Sequence, residues 1–384
     1  MSNSFEAIGI TTSMIEGLGK AGINVPTGIQ EKVIPLALLG KDIIGQSATG
    51  TGKTLAYLLP LFQKIDTTKR EMQAMILAPT HELAIQIQRQ IEVLAKNSEL
   101  PITSTPIIGN VNIARQIDKL KEKPHIIVGS SGRILELIQK KKITSQTIKT
   151  IIIDEADRLL DDRNVDSVKA VLKTTLRDRQ VLLFSATITP QTLVLATGIM
   201  RDPEVITVAE ESSDRPDITH MYFVAEQRDK AEVVRKMVRL VNAERALVFI
   251  NKSEDIEETT AKLVYHGLKA AGIHGSSIKG DRKRSLEEFR KGKVNLLVAS
   301  DVAARGLDIV GVDYVFNLDL PEDPQIYLHR VGRTGRAGKS GIAISIVTKK
   351  EVALIHKYEK FLKINIAPKY MEHGKIFDSG KTRK

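Results

Sequence analysis

Two successive series of short apolar runs constrain the fold of this chain more than any other feature. From residue 73 the runs QAMILAP, HIIVGS, TIIIDEAD and QVLLFSAT alternate with amphipathic stretches such as ELAIQIQRQIEVLAKN. A second series follows in HMYFVAE, RALVFIN, VNLLVASD, DYVFNLD and GIAISIVTK. Apolar runs of strand length separated by helical patterns predict parallel sheets covered on both faces by helices, an α/β architecture. Between the series lies VAEESSDRPDITH, polar and broken by proline, which reads as a linker. The chain has 384 residues, longer than a single core usually grows. The expected organisation is therefore a domain at 1–208, a linker at 209–217, a second domain at 218–370 and a polar tail at 371–384, with DSGKTRK disordered. In open parallel sheets ligands bind beyond the carboxyl ends of the strands. Thr80, Asp154 and Ser185 in the first series, and Ser300 and Asp301 in the second, hold such positions and predict two half-sites.

Composition narrows the chemistry. No cysteine is present, which excludes disulfides, thiolate zinc sites and cysteine nucleophiles. No apolar run is long enough to span a bilayer, and MSNSFEAIGI has no basic segment leading into an apolar one, so the expectation is a cytoplasmic protein without a membrane partner. A formal net charge of +11 points toward a polyanion such as nucleic acid. Aromatic residues make up 4% and Trp is absent, so bases have few platforms to stack on and backbone contacts should dominate. The run Lys140, Lys141 and Lys142 reads as a solvated loop, and the histidines show no metal-ligand grouping.

The stretch QSATGTGKT at 46–54 is a phosphate loop. Ser47, Ala48, Thr49, Gly50, Thr51 and Gly52 would wrap the phosphates, the glycines letting the backbone turn its N–H groups toward them; Lys53 adds a charge for the β and γ phosphates and Thr54 a hydroxyl for Mg²⁺. The strict pattern begins with glycine, where this chain has Ser47. About a hundred residues later Asp154, Glu155 and Asp157 follow the isoleucines of TIIIDEADRLL. Carboxylates this close repel one another. By themselves they could cap a helix N-terminus; beside a phosphate loop they have a cation to face. Asp154 would hold Mg²⁺, partly through water, and Glu155 would orient and deprotonate the attacking water.

These residues carry a family resemblance. The chain resembles the DEAD-box ATP-dependent RNA helicases, named for the tetrapeptide Asp154-Glu155-Ala156-Asp157, and the match runs from Phe5 to about Val347 with the motifs in the family's order. The resemblance implies two tandem RecA-like domains, ATP and Mg²⁺ as cofactors, and RNA as partner. In GINVPTGIQ, Gln30 would hydrogen-bond adenine and Phe5 would pack on its face; a carboxamide pairs with adenine's edge and not with guanine's reversed one. Ser185 and Thr187 of the SAT motif would link the acidic cluster, through Asp157, to domain closure, with His329 as a relay. In SDVAARGLD and HRVGRTGRAG, Asp308 would contact the ribose, while Arg333 and Arg336 would meet the γ phosphate as fingers from the second domain. With Lys53 and Glu155 they form the expected catalytic set. Such fingers contribute on the order of a thousandfold or more to turnover.

The family's RNA-contacting segments correspond to PTHELA, IGN, SSGR, HGSSIKGDR and the stretch from Ser300 to Arg305. Pro79, Thr80, His81, Gly109, Gly132, Arg133, Gly275, Ser300 and Arg305 would grip phosphate and 2′-OH without reading sequence. Several positions depart from the family pattern: His81 stands for arginine, Asn110 for glycine, Ser130 and Ser131 for Thr-Pro, Lys279 for glutamine and Ser300 for threonine. His81 lacks a permanent charge at neutral pH, which should weaken the grip on phosphate. The implied activity is RNA-stimulated ATP hydrolysis coupled to domain closure and to local, non-processive remodelling of RNA duplexes or ribonucleoproteins. The altered RNA segments keep an alternative open, an ATP-controlled RNA clamp or scaffold with little intrinsic unwinding; a DNA translocase fits less well. By analogy with compact bacterial members, the setting would be ribosome assembly or RNA handling in the cold, with ribosomal precursor particles as partners of a monomer.

Overall fold

The apolar runs become the interior strands of two separate sheets. The computed structural model describes residues 4–48, 50–109, 112–208, 217–273, 279–304, 309, 312–335 and 340–379, apart from the side chains at 279, 280, 283, 302 and 304. The chain divides into two compact units, Met1–Glu211 and Ser212–Lys384. The division falls within the expected linker, of which only Asp217 is described.

In the first unit the strands are β1 (Ile43–Gln46), β2 (Ala74–Leu77), β3 (Ser104–Ile107), β4 (Ile126–Gly129), β5 (Thr150–Asp154), β6 (Gln180–Ser185) and β7 (Glu204–Thr207). Among the described residues they form one parallel sheet in the order β3-β4-β2-β5-β6-β1-β7. Side chains alternate between faces along a strand. On β5, Ile152 enters a core with Val33, Tyr57 and Ile87, whereas Ile151 and Ile153 enter a second core with Ile134 and Val168. Both faces are covered, which is why these strands read as unbroken apolar runs. Helix His81–Asn97 buries Ala84, Ile87, Ile91 and Leu94, the stripe that its helical period predicts. The strand order has a direct consequence for function: β5, β6 and β1 are neighbours, so residues 46–54, 154–157 and 185–187, far apart in sequence, meet at adjacent carboxyl ends.

In the second unit the strands are β8 (Ile218–Val224), β9 (Ala246–Phe249), β10 (Ala270–Ile273), β11 (Leu296–Ala299), β12 (Tyr314–Asn317), β13 (Gly341–Val347), β14 (Ala367–Glu372) and β15 (Lys375–Asp378). Their order is β10-β11-β9-β12-β13-β8-β14-β15, parallel except for the antiparallel pair β14 and β15. This hairpin corrects the expected tail at 371–384. As far as Asp378 the segment extends the sheet, with Tyr370 stacked on Phe377; residues 380–384 lie outside the described residues. No described helix is long and apolar enough to cross a membrane.

Candidate active site

β1 runs into the phosphate loop and then into helix Lys53–Lys64. The loop is pinned to β6 at its start, where Ser47 N donates to Ser185 O at 3.2 Å. Gly50 and Gly52 have φ of 90° and 91°, a region that L side chains rarely enter. Their turn opens the helix N-terminus onto the loop, with its unsatisfied N–H groups and positive dipole end. Lys53 Nζ donates to the carbonyls of Ser47 at 2.6 Å and Ala48 at 2.7 Å. The ammonium thus lies within the loop it would share with a phosphate. Thr51 Oγ1 donates to Ala48 O at 2.8 Å, and Thr49 lies outside the described residues.

Gln30 is 1% exposed and tied at both ends of its carboxamide. Its Oε1 accepts from Thr27 N at 3.0 Å, closing the cap of helix Gly28–Leu38, and its Nε2 donates to Gly52 O at 3.1 Å. A residue expected to read a base is therefore also a strut of the phosphate loop. A Cβ at Gly52 would lie 2.4 Å from that Nε2. Phe5 is 2% exposed and packed in the core of this unit, so its ring presents little surface to a base.

The acidic cluster sits at the end of β5. Asp154 is 5% exposed. Its Oδ2 accepts from Tyr57 Oη and its Oδ1 from Glu155 N, both at 2.9 Å. Burial raises its pKa above the usual carboxylate range, against the opposing charge of Lys53. Burial, followed by this carboxylate, pushes the Tyr57 phenol well above its ordinary value. Such a buried carboxyl gains most from a cation nearby. Among the described residues no three His, Cys, Asp or Glu side chains form a metal-binding group. One carboxylate with a neighbouring hydroxyl nonetheless suits Mg²⁺, which takes one or two carboxylates and completes its shell with phosphate oxygens and water. Asp154 and Thr54 fit that role. Glu155 adopts a left-handed backbone with φ of 53°, unusual for a non-glycine residue and costing roughly 1–3 kcal/mol, a pattern that clusters at functional sites.

Asp157 faces the SAT motif. Ser185 Oγ donates to Asp157 Oδ1 at 2.6 Å and accepts from Thr187 N at 3.3 Å. The first unit thus brings Lys53, Thr54, Asp154, Glu155, Asp157, Ser185 and Thr187 to one end of the sheet.

In the second unit Arg333 is described, whereas Arg336 and Asp308 lie outside the described residues. His329 is half-buried on helix Pro324–Val331. The neighbouring Arg330 is 1% exposed. It donates to Asp301 Oδ1 and Oδ2 at 2.6 Å each, to Asp319 O at 2.6 Å and to Asn251 Oδ1 at 2.7 Å, and lies 5.1 Å from the Phe249 ring centroid. Sequence reading missed both Arg330 and Tyr57. The spacing of Tyr57, one helical turn after Lys53, was the available signal.

Among the expected RNA contacts, Thr80 caps helix His81–Asn97 by accepting from Leu83 N at 3.2 Å. His81 and Gly109 adjoin, since a Cβ on Gly109 would lie 3.2 Å from His81 Nε2. Gly132 is open, with nothing within 4 Å of such a Cβ, and Arg133 pairs with Glu136 at 3.2 Å. Ser300 is 3% exposed, and its hydroxyl has no hydrogen-bond partner among the described residues. Pro79 is half-buried. Asn110, Gly275, Arg305 and the side chain of Lys279 lie outside the described residues.

Comparison with known proteins agrees with this geometry. Residues 27–195 match the DEAD/DEAH box helicase model, and residues 229–338 match the helicase conserved C-terminal domain. The chain is 40% identical over 360 residues to the DEAD-box ATP-dependent RNA helicase CshA of Bacillus cereus, covering 94% of this chain and 68% of the relative. It is 39% identical to CshC of B. cereus, covering 94% and 92%. The structure of S. cerevisiae Dbp5 bound to RNA and ADP BeF3 superposes with a TM-score of 0.87 at 30% identity, covering 96% of this chain and 95% of that one. The two sheets are those of two RecA-like domains, and the chain belongs to the DEAD-box ATP-dependent RNA helicases.

Proposed function

We propose that ATP and RNA together draw the two units into a closed form, that hydrolysis takes place only there, and that phosphate release reopens it. Binding energy for the closed form would be used to bend one RNA strand away from its complement, so that unwinding is local and non-processive. Lys53 and the helix N-terminus hold the phosphates, and Gln30 meets the adenine, with Phe5 buried behind it in the core. Thr54 and Asp154 would hold Mg²⁺, which would supply charge neutralisation at the nucleotide's phosphates. Glu155 accepts the proton of a water that its strained backbone helps to aim. Asp308 holds the ribose, and Arg333 and Arg336 stabilise the charge that builds on the γ phosphate. Asp157, Ser185, Thr187 and His329 couple that event to closure. RNA is held through its backbone by Pro79, Thr80, His81, Gly109, Gly132, Arg133, Gly275, Ser300 and Arg305, and ribosomal precursor particles are the natural structured target.

The observation that carries this reading is Asp154, a buried carboxylate anchored by Tyr57 and by Glu155 N at the end of a strand adjacent to β6, which pairs with the strand feeding the phosphate loop. Glu155→Gln tests it. The variant should bind ATP and retain RNA in a long-lived complex without turnover; normal turnover would contradict the base assignment. His81, where a permanent cation is expected, favours a second reading as an ATP-controlled clamp. Duplex separation that stays negligible while RNA-stimulated hydrolysis is strong would select it.

A further inference from the structure

The first unit carries a cationic cleft that neither the nucleotide site nor the expected RNA segments use. It measures about 580 Å³ and is lined by Lys169, Lys173, Arg177, Arg179 and Arg201. It opens at the amino ends of the strands, beside Val181 of β6 and before β1 and β7. The phosphate loop and Ser185 lie at the carboxyl ends, some 13 Å further along β6 at about 3.3 Å per residue.

Cations outnumber carboxylates in this cleft five to one. None of the five cations forms a salt bridge among the described residues. The one carboxylate of the lining, Asp42, is 3% exposed and already engaged: Oδ1 accepts from Val181 N at 2.8 Å and Oδ2 from Arg201 N at 2.7 Å. Nearby Asp178 pairs with Lys149 at 3.0 Å. Arg179 Nε is buried with no hydrogen-bond partner among the described residues. Burial foremost, then the charges of Arg201 and Arg177, disfavour its cationic form, against Asp42. Although Nη1 donates to Leu176 O at 2.9 Å, a partly desolvated guanidinium with an unsatisfied Nε and no ion pair among like charges gains from a bound anion. No aromatic side chain lines the cleft, so a nucleic acid would be held by its phosphates and not by stacked bases.

We propose that this cleft is a second RNA-binding site, which takes the phosphodiester backbone of a strand extending beyond the catalytic site and so anchors long RNA to the first unit. The inference rests on RNA being the substrate. If that premise fails, the unaltered protein binds no RNA; if only the second site fails, binding is normal and insensitive to the substitutions below.

The test measures anisotropy of a labelled long unstructured RNA with the full-length protein, without nucleotide, across a salt series. Lys173 and Arg177 are exposed, so Lys173→Ala with Arg177→Ala should fold. This pair should lower affinity on the order of tenfold and make the salt slope shallower by about 1.4, the equivalent of two lost phosphate contacts on a single strand. Lys140→Ala with Lys142→Ala removes the same charge from another surface and should change both far less. Equal effects of the two pairs would reduce the finding to net charge and overturn the proposal. So would unchanged RNA affinity in the cleft variant, including the case where stabilisation by inorganic tripolyphosphate is lost, which would make the ligand a small polyphosphate. Arg179→Gln, checked for folding by circular dichroism, should reproduce the loss.

Discussion

Replacing Arg330 separates structural from chemical roles within the arginine motif. In the structure its guanidinium makes four hydrogen bonds of 2.6–2.7 Å, two of them to the carboxylate of Asp301. Arg330→Ala would strand that carboxylate, the Asp319 carbonyl and the Asn251 amide oxygen in a poorly solvated site. Removing one partner of a buried ion pair typically costs about 3–5 kcal/mol, and the lost contact with Phe249 adds roughly 1 kcal/mol. Since 1 kcal/mol moves the melting temperature of a domain this size by about 2–4 °C, the second unit should melt on the order of 10 °C lower. Lys at this position keeps charge but not the planar fork, and should recover only part of the loss. The assay is thermal unfolding of the full-length protein by circular dichroism, with ATP turnover measured below the transition. Arg333→Ala, run alongside, should lose hydrolysis with a much smaller drop in melting temperature than Arg330→Ala. If Arg330→Ala kept full thermal stability while hydrolysis collapsed, the network would not be what holds this segment, and Arg330 would belong with the residues acting on the nucleotide.

Three further substitutions probe other contacts. Tyr57→Phe removes a hydroxyl donor to Asp154, worth about 1.5–3 kcal/mol for a bond to a charged group, so nucleotide-free protein should melt several degrees lower; an unchanged melting temperature would refute the anchoring role. Gly52→Ala adds a Cβ at a left-handed position facing Gln30 Nε2, and should weaken ATP binding at least tenfold in an equilibrium titration. His220 is half-buried, hydrogen-bonded to Tyr327 Oη at 2.9 Å, and its pKa is pushed down to about 4 by desolvation. Because the folded form resists protonation, its contribution to stability is full above the unfolded value of about 6.5 and is lost as pH falls toward 4, by at most about 3 kcal/mol. His220→Gln should flatten the stability profile in that window, and an unchanged slope in urea unfolding would show that another group sets it.

The legible parts of the molecule were those in which a local pattern carried the physics. Runs such as TIIID and QVLLFS are buried on both faces and announce themselves, and the glycines of 46–54 mark a turn that few other sequences make. The strands that escaped notice lack that signature. β3 contains Pro106, β7 buries only Ile206, and β14 alternates half-buried and exposed residues at a sheet margin, where charged residues are common. The residues from 371 to Asp378, held by the hairpin pairing of β14 with β15, therefore read as a polar tail. The same limit applied to the site. Tyr57 meets Asp154, Gln30 meets Gly52, and Arg330 meets Asp301 only because strand order folds distant segments together; local spacing marks at most that Tyr57 lies one turn after Lys53, not the partner it meets.

The most direct test of the account is steady-state ATP hydrolysis by the full-length protein with and without RNA, comparing a short single strand with structured ribosomal RNA. Strong stimulation by RNA, abolished by Glu155→Gln and by Arg333→Ala, is the predicted result. Measurable RNA binding with no stimulation of hydrolysis would contradict the coupling of the two units on which the proposed mechanism depends.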